Sequence, residues 1–181
     1  MIKAYFDGSC SPINPGGKAR YGIVVFRDEK KIFQDSGEIP NDFKGIRNTS
    51  NNVAEYAALL ALLEYFIEKG FTQERILVLG DSRKVIDKCS SRNYSFSPKN
   101  KSLYIPVAIC CLELLKEFSN ISFRWISRKF NEFADSLASG KVKLEGQNVI
   151  ILPPYKQNLY GGKRKKVYHL IYDRNGKTKY H

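Results

Sequence analysis

The chain has 181 residues, 43% of them hydrophobic, and a net charge of +12 at pH 7, a length that supports one sizeable core with a small appendage. Its longest apolar stretch, Val53 to Ile67, is interrupted by Glu55 and Glu64, which argues against a membrane span. The four cysteines (Cys10, Cys89, Cys110 and Cys111) form no CxxC pair, so neither a zinc cluster nor a disulfide framework is expected. Such cysteine usage predicts a reducing, cytoplasmic setting. Charged, strand-like sequence directly after Met1 predicts no secretory leader. Residues 141–181 carry ten Lys/Arg and two acids. This basic balance favours a polyanion as partner, nucleic acid first, and no membrane partner is expected.

In chain order, three strands come first: Ile2 to Phe6, Arg20 to Phe26 and Lys30 to Ser36. The turn-rich "SPINPGG" separates the first two, and short connections predict an antiparallel meander. Residues 37–49 read as loop. A long helix follows, opened by the polar Ser50–Asn52 cluster and stopped at Gly70. "RILVLGDS" is a continuous apolar run of the buried-strand kind. A short helix at "SRKVIDKC", a polar loop at 90–102 and a helix with Pro106 near its start come next. "ISFRWIS" alternates like a strand, and "NEFADSLASGK" is the last helix. The order βββαβααβα predicts an α/β fold, one five-stranded mixed sheet with helices on both faces. Residues 1–143 form the expected domain. Residues 144–181 read as a basic extension with a small β appendage, in which "DRNG" carries hairpin-turn chemistry.

Four acids stand at notable places in this pattern. Asp7 ends the first predicted strand, and Asp81 ends "ILVLG" in the same way. Glu55 lies early in the long helix, and Asp135 in the last helix. Each has an ordinary structural explanation. Asp7 before Gly8 suits a turn, Glu55 three residues after Asn52 resembles a capping-box glutamate, Asp81 suits a helix cap, and Asp135 a surface position. Their separations preclude a local motif, so only folding could assemble them.

Together, "FDGSCSPINPGGKARYGIVV", "SNNVAEYAALLALLE", "LGDSRKVI" and "FRWISRKFNEFADSLAS" resemble the successive signature segments of type 1 ribonuclease H, in the family's order. The resemblance covers about residues 1–140. It implies the ribonuclease H-like fold and endonucleolytic hydrolysis of the RNA strand of RNA/DNA hybrids, leaving 3′-OH and 5′-phosphate ends. It further implies that Asp7, Glu55, Asp81 and Asp135 are the catalytic acids and bind two divalent ions, Mg²⁺ or Mn²⁺. Hard cations of this kind prefer oxygen ligands. Paired cations can activate an attacking oxygen and neutralise a leaving one.

Hybrid recognition requires sensing the ribose 2′-OH. The resemblance assigns this task to Gly8, Ser9, Cys10 and Asn14, with Ser50, Asn51 and Asn52 at the helix start. Amides and hydroxyls there suit phosphate and sugar contacts, although simple capping also explains the asparagines. Two departures stand out. The family's histidine loop is absent between Trp125 and Asp135, where Arg128 is the candidate replacement in the manner of the archaeal-type branch. No helical basic protrusion fits in 90–102, so Lys163, Arg164, Lys165 and Lys166 are the expected substitutes for hybrid affinity. His169 fits a strand residue, and Trp125 fits core packing better than base stacking. A monomer acting on RNA/DNA hybrid is expected. The alternative is a ribonuclease H-like module that binds hybrid or double-stranded RNA, with cleavage broadened to double-stranded RNA or lost.

Overall fold

The computed structural model describes residues 1–39, 42–43, 46–47, 49–92, 95–97, 102–142, 149–150 and 171–172. Strands β1 (Ile2–Ser11), β2 (Lys18–Arg27) and β3 (Lys30–Ile39) form the meander, followed by the two-residue pair β4 (Asp42–Phe43) and β5 (Ile46–Arg47). Then come α1 (Asn51–Glu68), β6 (Ile76–Gly80), α2 (Arg83–Ser90), α3 (Ile105–Leu114), β7 (Ile121–Trp125) and α4 (Glu132–Ala138). The main sheet has the order β3-β2-β1-β6-β7, with β6 and β7 parallel to β1 and β2 and β3 antiparallel. This is the five-stranded mixed sheet expected from the sequence.

Successive residues of a strand face opposite sides of a sheet. On β1, Ile2, Ala4 and Phe6 are fully buried and share a core with α1, α2 and α3. A Cβ on Gly8, on that same side, would sit 2.2 Å from the Ala54 carbonyl carbon of α1. Asp7 points the other way and pairs with Gly22, where a Cβ would meet the Ala134 carbonyl oxygen of α4 at 2.4 Å. Helices therefore cover both faces. Gly8 and Gly22 are the places where helix and strand backbones touch.

The structure corrects two expectations. The first strand does not end at Asp7: β1 continues through Gly8, paired with Tyr21, to Ser11. Only its parallel pairing stops, at Tyr5 with Leu79. Residues 37–49 are not all loop, since β3 runs through Ile39 and β4 and β5 pair within the segment. In the extension, β8 (Val149–Ile150) pairs antiparallel with β9 (Ile171–Tyr172). The "DRNG" turn, His169 and Lys163 to Lys166 lie outside the described residues. No helix among the described residues is long and apolar enough to cross a membrane.

Helix α1 is apolar on nearly every side because it is enclosed by the sheet and α3. Its exception is Glu64, buried at 6% exposure, where burial pushes the carboxyl up to about 8. The folded state thus keeps a proton that the unfolded chain releases near pH 4.3. Stability should fall as pH rises from about 4 to about 8. We expect Glu64→Gln to flatten this slope and to stabilise the protein by roughly 1–3 kcal/mol at pH 8. Denaturant unfolding at pH 5 and pH 8 checks it, and an unchanged slope would contradict it.

Candidate active site

Three carboxylates reach one point from three separate elements. Asp7 comes from the middle of β1, Asp81 directly follows β6, and Glu55 stands one turn into α1. Each offers an oxygen, and these oxygens lie within 4.8 Å of one another. The parallel partner of β1 ends just before Asp7, so the chain leaving β6 delivers Asp81 beside it. Contact of α1 backbone with Gly8 brings Glu55 over the same spot.

The electrostatics are those of crowded, desolvated acids. Burial first, then the charges of Asp81 and Asp135, push the Asp7 carboxyl up to about 7, with Arg128 opposing. Burial, Asp7 and Asp81 likewise hold Glu55 well above the usual carboxylate range, against Arg128 and the Gly8 amide. The Oε2 of Glu55 is buried without a hydrogen-bond partner among the described residues. An all-oxygen trio with an unsatisfied buried lone pair fits a hard divalent cation, which these groups could hold.

Asp135, the fourth expected acid, does not reach all three of the others. It accepts a hydrogen bond from Arg128 Nη2 and lies 3.9 Å from Lys141 Nζ. Arg128 is itself 75% exposed, in a short 3₁₀ turn between β7 and α4. It therefore places a cation between solvent and the acids, and its own pKa is raised chiefly by the bond to Asp135.

Two residues that hold the acids escape a reading of sequence alone. Asn131 is fully buried, and its Nδ2 donates to the Phe6 carbonyl at 2.9 Å and to Asp81 Oδ1 at 3.1 Å. It ties the strand backbone next to Asp7 directly to Asp81. Trp125 donates from Nε1 to the Asp81 carbonyl at 3.0 Å, and Arg83 stacks 3.8 Å over its ring. Its part is core packing, as expected, plus a hold on the Asp81 backbone.

The expected recognition residues other than Ser9 and Arg128 gather around the start of α1. Ser50 caps the helix by accepting from the Val53 amide at 3.2 Å, which places Glu55 beyond the capping-box position. The Asn51 amide donates to Asn14 Oδ1 at 3.0 Å, fastening the 12–17 turn to the helix. Asn51 is exposed and Asn52 half-buried. Cys10 Sγ donates to the Ile13 carbonyl. Ser9 faces α4, where its hydroxyl donates to the Ala138 carbonyl at 2.6 Å.

Comparison with known proteins identifies the family. A family model described as reverse transcriptase-like matches residues 6–140. The structure of RNase H1 from the halophilic archaeon Halobacterium salinarum superposes with a TM-score of 0.61 at 30% identity, covering 78% of this chain and 98% of that one. The chain belongs to the type 1 ribonuclease H family. A bifunctional protein of Mycobacterium tuberculosis is 31% identical over 136 residues, 75% of this chain. The present ribonuclease H chain spans only 34% of that relative's length. LC11-RNase H1, solved in complex with an RNA/DNA hybrid, matches at 26% identity and a TM-score of 0.59, over 77% of this chain and 95% of that one.

Proposed function

We infer that this ribonuclease H-family chain is a metal-dependent endonuclease that hydrolyses the RNA strand of RNA/DNA hybrids, leaving 3′-OH and 5′-phosphate ends. The observation that carries this reading is the convergence of Asp7, Glu55 and Asp81, with the buried, unpartnered oxygen of Glu55 among them. The hybrid bound by LC11-RNase H1 supports the substrate class.

Asp7, Glu55 and Asp81 would hold two divalent ions, Mg²⁺ or Mn²⁺, with Asp135 completing the set. When bound, such ions supply Lewis acidity, activating water and neutralising charge on the departing oxygen. The remaining work falls to the chain. Asn131 and Trp125 fix Asp81, and Gly8 lets α1 deliver Glu55. Arg128, permanently charged, holds Asp135 and lowers repulsion among the acids. Amides and side chains of Gly8, Cys10, Asn14, Ser50, Asn51 and Asn52 would meet sugar and phosphate at the helix start, where such contacts are favoured, while the Ser9 hydroxyl is turned to the Ala138 carbonyl of α4. In hydrolysis, water oxygen bonds to phosphorus as the bond to the 3′ oxygen breaks, and that oxygen leaves protonated.

The test offers labelled RNA/DNA hybrid, double-stranded RNA, single-stranded RNA and duplex DNA with Mg²⁺, Mn²⁺ or EDTA. Hybrid alone should be cut, and only with metal. Equal cleavage of double-stranded RNA would replace this reading with the broader nuclease, and binding without cutting would replace it with a silent module. The charge of the extension suggests a role in affinity. Removal of 144–181 should weaken hybrid binding and reduce its salt dependence while metal-dependent cleavage persists. An unchanged salt slope would refute that.

A further inference from the structure

We propose that the sheet face running from Asp7 towards the opposite strand ends holds a second backbone phosphate of the nucleic-acid strand, at a cavity lined by Lys3, Arg75 and Arg124. The inference rests on the nucleic-acid reading above and adds a contact that none of the recognition residues near α1 provides.

The register lays out this face in rows. Lys3 is level with Leu77, and Leu77 with Ser122. One step nearer the acids, Tyr5 is level with Leu79, and Leu79 with Arg124. Asp7 stands one step further on the same side of β1. At about 3.3 Å per residue, Lys3 is ~13 Å from Asp7 along the strand, roughly four nucleotides of a helical strand. Helix α4 lies over β1, β2 and β3. Beside it, Lys3, Arg75, Leu77, Ser122 and Arg124 line a cavity of about 340 Å³.

The lining chemistry selects an anion. Lys3 is already bonded to Glu29 at 2.8 Å. Arg75 and Arg124 are exposed and have no carboxylate partner among the described residues. Two unpaired guanidiniums on one side of the sheet, Arg75 just before β6 and Arg124 on β7, form a phosphate-binding group, while the Ser122 hydroxyl beside them donates to the Ile76 carbonyl at 3.2 Å. Aromatic rings share its side of the sheet. Phe26, level with Lys3, lies 5.9 Å from Tyr5 and 5.9 Å from Phe133. Phe133 is 62% exposed. A cavity of mixed apolar floor and unpaired arginines has no comparable use in core packing.

The experiment compares the full chain with an Arg75→Ala/Arg124→Ala variant and a control, Lys30→Ala/Lys69→Ala, that removes equal charge elsewhere. Hybrid affinity is measured by fluorescence anisotropy in EDTA over roughly 50–300 mM salt, with inorganic phosphate binding followed in parallel. The arginine variant should bind ~3–10-fold more weakly at low salt, with a salt slope shallower by about one, and the control should match the parent slope. Equal slopes in all three proteins would overturn the proposal. So would loss of inorganic phosphate binding with the hybrid slope intact, which would make the cavity a site for free phosphate. Because no metal or cleavage is involved, a chain that proved catalytically silent would leave this readout standing.

Discussion

Replacing Asp7 or Asp81 with asparagine is expected to lower hybrid cleavage by ~10³-fold or more while stabilising the metal-free fold above neutral pH. The first effect follows from losing several kcal/mol of transition-state stabilisation with a cation ligand. The second follows from repulsion. The Asp7 carboxyl is pushed up to about 7 by burial and by Asp81 and Asp135, against about 3.9 in the unfolded chain. The folded state therefore keeps a proton that the unfolded state releases. Stability falls as pH rises from about 4 to about 7 and stays lower above that. Asp7→Asn abolishes the titration, and Asp81→Asn removes a charge that drives it. Either change should add ~1–3 kcal/mol to metal-free stability at pH 8. Mg²⁺ should raise the Tm of the parent at pH 8 and of neither variant. A near-parental cleavage rate in either variant would remove that residue from the site.

Asn131→Ala should reduce both stability and cleavage. The fully buried amide spans the Phe6 carbonyl and Asp81 Oδ1. Its loss leaves a buried carbonyl unsatisfied and Asp81 free to rotate. The structural cost is ~2–3 kcal/mol. Loss of a group that orients a ligand should also lower activity ~10–100-fold and raise the Mg²⁺ concentration for half-maximal rate. Urea unfolding and a metal titration of the cleavage rate measure the two separately. A variant that unfolds more easily but keeps the parental metal requirement would confine Asn131 to a structural role.

The sheet and its helices are legible in the chain because apolar periodicity carries them, and the family resemblance points to the acids, of which the fold brings Asp7, Glu55 and Asp81 together. Their supports are not. Asp7 interrupts an apolar run and precedes a glycine, so it reads as a strand end. Pairing with β2 carries the strand on to Ser11, and the glycine is required by the α1 backbone rather than by a turn. Asn131 belongs to no motif in the sequence, yet at the start of α4 its side chain makes no cap bond and reaches across to β1 and Asp81. Trp125 reads as apolar filling, and only the fold reveals that its N–H meets the Asp81 carbonyl. Long-range bonds of this kind leave no periodic trace. The cavity at Arg75 and Arg124 is equally silent, since its members come from different strands.

Diffraction from crystals soaked in Mn²⁺, recorded at the manganese edge, probes the carboxylate trio most directly. Two anomalous peaks bounded by Asp7, Glu55, Asp81 and Asp135 are the predicted result. Maps without density there, or with manganese only at other carboxylates, would contradict the assignment of this pocket as a cation-dependent nuclease centre.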